Sequence, residues 1–182
     1  MGTHKQHKQP YRITATSDKW YDEFYKIYKV SFPVFEQRNK EQQEYAFNHD
    51  NYFLDYTVDD DKFLSFIAYW DFNKYIYIEH LAVNPDYRGE NIGSRVLREF
   101  IESKNKVILL EIDPLTTDIA LKRFRFYERL GFQENIYPHF HPPYDKHYPA
   151  HELIVLSYGH QIDKSLYETF YNDLSKIVMQ VS

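Results

Sequence analysis

Between Lys106 and Ile112 the chain runs Lys-Val-Ile-Leu-Leu-Glu-Ile and is closed by Asp113-Pro114. A short, nearly continuous apolar run without alternation reads as a strand covered on both faces. Two segments of helical spacing flank it: Asn91 to Lys104, where Val96, Leu97, Phe100 and Ile101 form one apolar stripe, and Asp118 to Leu130, stopped by Gly131. A doubly covered strand between amphipathic helices commits the chain to a sheet with helices packed on it.

The remaining pattern fills out that sheet. Tyr11–Thr16 reads as a first strand, and Ser17 or Asp18 can cap a helix carrying Trp20, Phe24, Ile27 and Tyr28 that ends before Pro33. A polar helix follows over Lys40–Asn48. Tyr52–Val58, Phe63–Trp70 and Tyr75–Val83 are rich in aromatic and β-branched residues and are separated by Asp59-Asp60-Asp61 and Asp71–Lys74, the pattern of an antiparallel meander. Phe132–Tyr137 and Glu152–Tyr158 read as two more strands. A last helix from near Asp163 puts Leu166, Phe170, Leu174 and Ile177 on one face. The order is β-α-α-β-β-β-α-β-α-β-β-α: a single mixed, largely antiparallel sheet of about seven strands, flanked by helices, with an added C-terminal helix. At 182 residues one domain is the expectation, with residues 1–10 as a disordered polar start and 11–182 as the folded unit.

Composition narrows the chemistry. The chain has no cysteine, which removes disulfides, thiolate metal sites and a cysteine nucleophile together. Its formal charge is −5, which disfavours a nonspecific nucleic-acid binder and suits a cationic partner such as an amine. The charged start is followed by no apolar leader and no run reaches the length of a membrane span, so the expectation is a soluble cytoplasmic protein without a membrane partner. Aromatic residues make up 19%, and tyrosine, with 18 copies, suits the rim of a cleft as well as a core.

The segment from Tyr75 to Phe100 carries the strongest chemical signal. A strand stopped by Asn84-Pro85 feeds a loop containing Arg88 and Gly89, and a helix opens at Gly93. Such a loop aims several backbone N–H groups and the positive end of a helix dipole at one spot, where an anion such as a pyrophosphate can sit. Neither common glycine-rich nucleotide fingerprint is present. What fits is R-x-x-[G]-x-G, here Arg88-Gly89-Glu90-Asn91-Ile92-Gly93.

With Ile78–Val83 before this loop and Phe126-Tyr127-Glu128-Arg129-Leu130-Gly131-Phe132 after it, the sequence resembles the GNAT superfamily of acetyl-CoA-dependent N-acetyltransferases. The likeness follows the element order of the whole chain and is densest between about Ile76 and Phe132. It departs from the family pattern at Asn91, where glycine is usual, and after the fifth strand, where Asp113–Ile119 offers no matching asparagine. The resemblance implies an enzyme that binds acetyl-CoA and transfers its acetyl group directly to the primary amine of a small-molecule or peptide acceptor, without a covalent enzyme intermediate. A CoA-binding module that has lost transfer is the alternative.

The resemblance further implies that the main chain of Leu81, Ala82 and Val83 pairs with the pantetheine arm, and that the amides of Arg88, Gly89, Glu90, Asn91, Ile92, Gly93 and Ser94 cradle the pyrophosphate. Tyr127 occupies the place of the family's general acid. An amine of pKa about 10.4 must also lose a proton. Glu79 and Glu111 are both candidates for the base, beside a water chain with no dedicated side chain. Strand alternation sets Glu79 on the face of Leu81 and Val83, and His80 on the opposite face as a packing residue. The loop from Tyr137 to His151 is dense in histidine, proline and tyrosine; Tyr137, His139 and Tyr144 are the expected acceptor-pocket residues, and no metal site is assigned. The aromatic surface and last helix are a candidate homodimer face.

Overall fold

Seven strands form the sheet of the computed structural model, which describes residues 11–180. The expected disordered start lies outside the described residues. In chain order the elements are β1 (Tyr11–Ile13), α1 (Tyr21–Ser31), α2 (Lys40–Phe47), β2 (Tyr52–Asp59), β3 (Lys62–Asp71), β4 (Tyr75–Val83), α3 (Ile92–Glu102), β5 (Val107–Ile112) and α4 (Asp118–Arg129). Then come β6 (Phe132–Glu134), β7 (Phe140–His141), β8 (His151–Glu152), β9 (Ile154–Tyr158) and α5 (Lys164–Asp173). The strand order is β1-β2-β3-β4-β5-β9-β6, with β4 and β5 parallel and every other neighbouring pair antiparallel. β7 and β8 form a separate two-stranded ribbon.

Both sheet faces are covered, as the apolar run in β5 requires. On one face Phe24, Ile27 and Tyr28 of α1, Ala46 of α2 and Phe170 of α5 pack on Phe66, Trp70, Tyr75, Tyr77 and Leu109. On the other, Val96, Leu97, Phe100 and Ile101 of α3 pack on Ile67, Ile76, Ile78, Ile108 and Leu110. Three helices have side-chain caps: Asn39 and Gln42 form a capping box on α2, the Thr117 side chain caps α4, and Asp163 caps α5, whereas α1 opens at Tyr21 with Trp20 in the cap position, so the cap expected at Ser17 or Asp18 is not formed. The strand expected over Phe132–Tyr137 ends at Glu134 because the chain turns there: the Asn135 side chain bonds to Val155 and Ser157 and accepts from the Ile162 amide. The last helix does not end at Asp173 but widens into a π-turn over Leu174–Val178.

Two local features shape the middle of the sheet. The register between β3 and β4 pairs Tyr69 with Ile78 but Ala68 with His80, so Glu79 is the extra residue of a β-bulge. Beyond the bulge β4 parts from β5: their pairing covers only Tyr75–Ile78 against Val107–Leu110, although β4 continues to Val83 and β5 to Ile112.

Candidate active site

The bulge reverses the side-chain order that simple alternation predicts. Leu81 and Val83 pack with the α3 side, whereas Glu79 and His80 both face α1 and the loop after β6. The reading that set Glu79 on the face of Leu81 and Val83 is therefore corrected, since one extra residue shifts the two-residue period by one. His80 is buried against Tyr28 and Phe32, and its Nε2 lies 3.0 Å from the Glu36 carbonyl, the packed role expected of it.

The parted strands leave a backbone edge without a partner strand. The Asn84 N–H donates to Leu64 in β3, so alternation turns the Ala82 groups toward β3 and those of Leu81 and Val83 toward the gap. Among the three residues expected to pair with a cofactor arm, only Leu81 and Val83 offer backbone groups there. A cavity of about 510 Å³ occupies the gap and passes through the plane of the sheet. On one side it is bounded by Arg88, Gly93, Phe126 and Tyr127, and on the other by Phe32, Glu36, His141, Tyr144 and His151.

Next to the gap, the loop before α3 is exposed from Arg88 to Asn91. Asn91 stands at φ 57° and Gly89 at φ 92°, both in the left-handed region. Asparagine thus supplies the backbone shape that a glycine would give, as its tolerance of that region allows. The first intrahelical bond of α3 runs from the Arg95 N–H to the Asn91 carbonyl, which leaves the amides of Ile92, Gly93 and Ser94 without helical acceptors. Gly93 is a close approach: a Cβ there would meet Val83 Cγ2 at 3.4 Å and the Phe126 ring at 3.6 Å. Arg88 makes no ion pair among the described residues, so its charge is available beside these amides.

Tyr127 reaches the cavity from α4 with its ring between Phe126 and Phe132. Its hydroxyl has no hydrogen-bond partner among the described residues, and burial, opposed by Arg123, pushes its pKa up to about 12. Arg123 is itself paired with Asp113 at 2.8 Å. The phenol is therefore a held proton donor facing the gap.

The two carboxylates expected as bases are both buried and both already committed. Glu79 accepts from Arg38 Nε at 2.9 Å and the Tyr144 hydroxyl at 2.8 Å on one oxygen, and from Trp70 Nε1 at 2.7 Å on the other. Burial alone would raise its pKa, but the charges of Arg38 and His80 and these hydrogen bonds outweigh it and hold the carboxyl below its ordinary value. Glu111 Oε2 lies 2.7 Å from His139 Nε2, and Tyr77 also bonds to this carboxylate. Burial is again outweighed, by the charge of His141 and by the bond and charge of His139, which bring Glu111 to about 2. Carboxylates held this acidic carry a fixed negative charge and are weak proton acceptors.

The three residues expected in an acceptor pocket divide. Tyr144 lines the cavity. His139 is fully buried behind Glu111, with its Nδ1 against the Tyr167 hydroxyl, and Tyr137 stacks on Tyr167 and donates to the Ile162 carbonyl. Neither is among the residues lining the cavity, because α5 takes up both rings. In their place the structure brings His141 and His151, paired across the β7–β8 ribbon with rings 5.4 Å apart, and Glu36 from the turn Val34–Glu36 after α1. Arg38, the cation that neutralises Glu79, was not expected from sequence. Among the described residues no group of three or more His, Asp or Glu is placed to hold a metal ion. No helix of the described residues is long and apolar enough to cross a membrane.

Comparison with known proteins gives consistent matches. The model of the acetyltransferase (GNAT) family matches residues 20–132. YjbC of Bacillus subtilis (strain 168), named as a candidate acetyltransferase, is 29% identical over 116 residues; the match covers 63% of this chain and just over half, 56%, of that relative. A solved structure of a candidate GNAT-family acetyltransferase from Bacteroides thetaiotaomicron is 30% identical, with a TM-score of 0.86 over 96% of this chain and 98% of that one. Naa50 of Arabidopsis thaliana, solved in complex with the bisubstrate analogue CoA-Ac-MVNAL, shares the fold at 22% identity and a TM-score of 0.58, over 77% of this chain and 92% of that one.

Proposed function

This chain belongs to the acetyltransferase (GNAT) family, and from that premise we propose that its residues 11–182 form one N-acetyltransferase domain. In this reading it moves an acetyl group from acetyl-CoA to a primary amine by direct attack, with donor and acceptor bound together. The observation that carries the reading is the parting of β4 and β5 beyond the Glu79 bulge, which leaves the backbone groups of Leu81 and Val83 facing a cavity that passes through the sheet.

The residues present fit the donor. The free strand edge at Leu81 and Val83 suits an amide-bearing arm laid as an added strand. The left-handed Asn91, the open amides of Ile92, Gly93 and Ser94, and the unpaired Arg88 suit its phosphates, with Gly89 and Glu90 completing the loop. Acetyl-CoA supplies an acetyl group as a thioester, whose sulfur leaves as a thiolate. The Val83 N–H is the donor available to the acetyl oxygen as charge gathers on it. Tyr127 holds its proton at the same end of the cavity and gives it to the departing sulfur. Glu79, with Arg38, Trp70 and Tyr144, fixes the bulge and so the direction of the strand edge. Tyr144 and Glu111 contribute to the acceptor side, and His139 holds Glu111 in place from behind.

The test is a thiol-release assay with acetyl-CoA and an amine panel of spermidine, lysine, kanamycin and a tetrapeptide with a free N-terminal alanine, beside calorimetry of CoA binding. Turnover of at least one amine is expected. CoA binding without turnover of any amine would refute catalysis, and absence of CoA binding would refute the whole reading.

A further inference from the structure

The side of the cavity next to Glu36 contains buried polar atoms that the fold leaves without a hydrogen-bond partner. Glu111 Oε1 is buried and has no hydrogen-bond partner, its ion-pair distance to His141 Nε2 being 4.0 Å, and Glu111 lines the cavity. The Nε2 of His151 is likewise buried without a hydrogen-bond partner. It stands 3.9 Å from Glu36 Oε1, and Glu36 lines the same cavity. Unsatisfied buried polar atoms are costly, and two of them on residues that line one cavity, beside a second carboxylate, point to a ligand that donates several hydrogen bonds. A primary ammonium group has three N–H donors and a positive charge.

We propose that Glu36, His151 and Glu111 Oε1 receive the acceptor's ammonium group, and that the Glu36 carboxylate takes its proton. The proposal rests on the acetyltransferase reading and adds to it the acceptor site and the base. The two carboxylates divide the work. Glu111, held ionised by His139 and His141, attracts the cation and does not keep a proton. Glu36 sits in the opposite electrostatic setting: burial and the charge of Asp113 raise it, Arg123 opposes them, and Glu111 raises it further, to about 7. The other titratable groups around it are His80 of β4, at its carbonyl, His141 of β7 and His151 of β8, whose own pKa burial and His141 lower. A carboxyl poised near neutrality can accept a proton and release it again.

Position supports the same assignment. Tyr127 enters the cavity from the α4 side, and Glu36 bounds it from the side of α1, so acid and base approach the reacting atoms from opposite faces of the sheet. The steps balance. Glu36 takes one proton from R–NH3+, the nitrogen lone pair forms the C–N bond as the C–S bond breaks, and Tyr127 gives its proton to the thiolate. The proton that nitrogen sheds as the amide forms replaces the one Tyr127 gave. Glu36 then releases its proton to water, so the sum is ammonium plus thioester giving amide, thiol and one proton.

The test uses the full chain, its Glu36→Gln and Glu36→Asp variants, and the four amines of the panel. In wild type, kcat/KM for the best acceptor should fall on the acid side of about pH 7. Glu36→Gln should lose that limb and about 100-fold or more in kcat/KM, with the KM for acetyl-CoA changed less than about threefold, while Glu36→Asp recovers part of both. In the free protein with 13C-labelled glutamate, the Glu36 carboxyl signal should titrate near neutrality, and it and the Glu111 signal should move when an amine is added. Wild-type rate and pH profile in Glu36→Gln would overturn the proposal. If no amine is turned over, which refutes the acetyltransferase reading instead, the labelled signals decide: movement of both carboxyls on adding an amine supports the site, and no movement with any amine overturns it.

Discussion

Replacing Arg38 with methionine should be among the most damaging single changes available to this protein, and its effect should depend on pH in a specific direction. The Arg38 and Glu79 side chains are 2% and 0% exposed. Arg38 donates to Glu79 at 2.9 Å and to the Val178 carbonyl at 2.7 Å, so it joins the bulge to the π-turn that ends the last helix. Breaking a buried ion pair by removing one partner costs about 3–5 kcal/mol, because the other charge stays buried without compensation. With a urea m-value of about 2.5 kcal/mol/M, a loss of about 4 kcal/mol lowers the denaturation midpoint by about 1.6 M. In wild type Glu79 is held below its unfolded value, so the pair contributes stability above that value and loses it as pH falls through the folded one. Without Arg38, burial dominates and the Glu79 carboxyl rises above its unfolded value. Its stability is then fullest below the unfolded pKa and lost as pH rises, so the deficit of the variant should be larger at about pH 8 than at about pH 4.5. Adding Glu79→Gln to Arg38→Met removes the stranded charge and should recover part of the loss, a non-additive result. Urea titrations at the two pH values measure all of this. A loss under about 1 kcal/mol, equal at both, would show that the pair is solvated and refute the argument.

Three further outcomes follow from the same geometry. Tyr127→Phe should lower kcat by about 100-fold or more and leave CoA affinity within about threefold, measured by thiol release and calorimetry, since the hydroxyl has no structural partner among the described residues. Asn91→Ala should cost about 1 kcal/mol and weaken CoA binding, whereas Asn91→Gly should match or exceed wild type in both, because the position stands at φ 57°; thermal melts and calorimetry check the pair. Glu111, lowered to about 2, contributes stability above its unfolded value near 4.3 that is lost as pH falls toward 2. His139→Leu should therefore reduce stability at neutral pH and flatten that acid limb, seen as urea midpoints that vary less between about pH 5 and pH 3.

Much of the fold was legible because its signals are local. The apolar run in β5, the stripe of α3, the Asp-rich turn of the meander and the start of the last helix at Asp163 each lie within one element or its ends. The shape of the loop before α3 was legible for the same reason, down to the left-handed Asn91. Part of the cavity wall opposite Tyr127 was within reach too. His139 and His141 share a strand parity, and the pattern could have raised both as a pair facing inward. Arg38 and Glu36 gave no signal: each is one charged residue in the connection between two helices, and its burial is decided by β4, the β7–β8 ribbon and the C-terminal turn.

The misplacement of Glu79 has a more general physical origin, and it bears on why the site exists at all. A bulge adds one residue to one strand, and nothing in Ile78-Glu79-His80-Leu81 marks where the extra residue falls. Alternation within β4 is intact on either side of it, so a period-two reading is right locally and wrong by one across the junction. The same extra residue does two things at once. It turns Glu79 and His80 together toward the helix α1 side, where Arg38, Trp70, Tyr144 and the Glu36 carbonyl satisfy them, and it ends the pairing of β4 with β5 at Ile78 and Leu110. The buried ion pair is thus the energetic anchor of an opening in the sheet, which is why a stability experiment on Arg38 and a binding experiment at Leu81 and Val83 interrogate the same element.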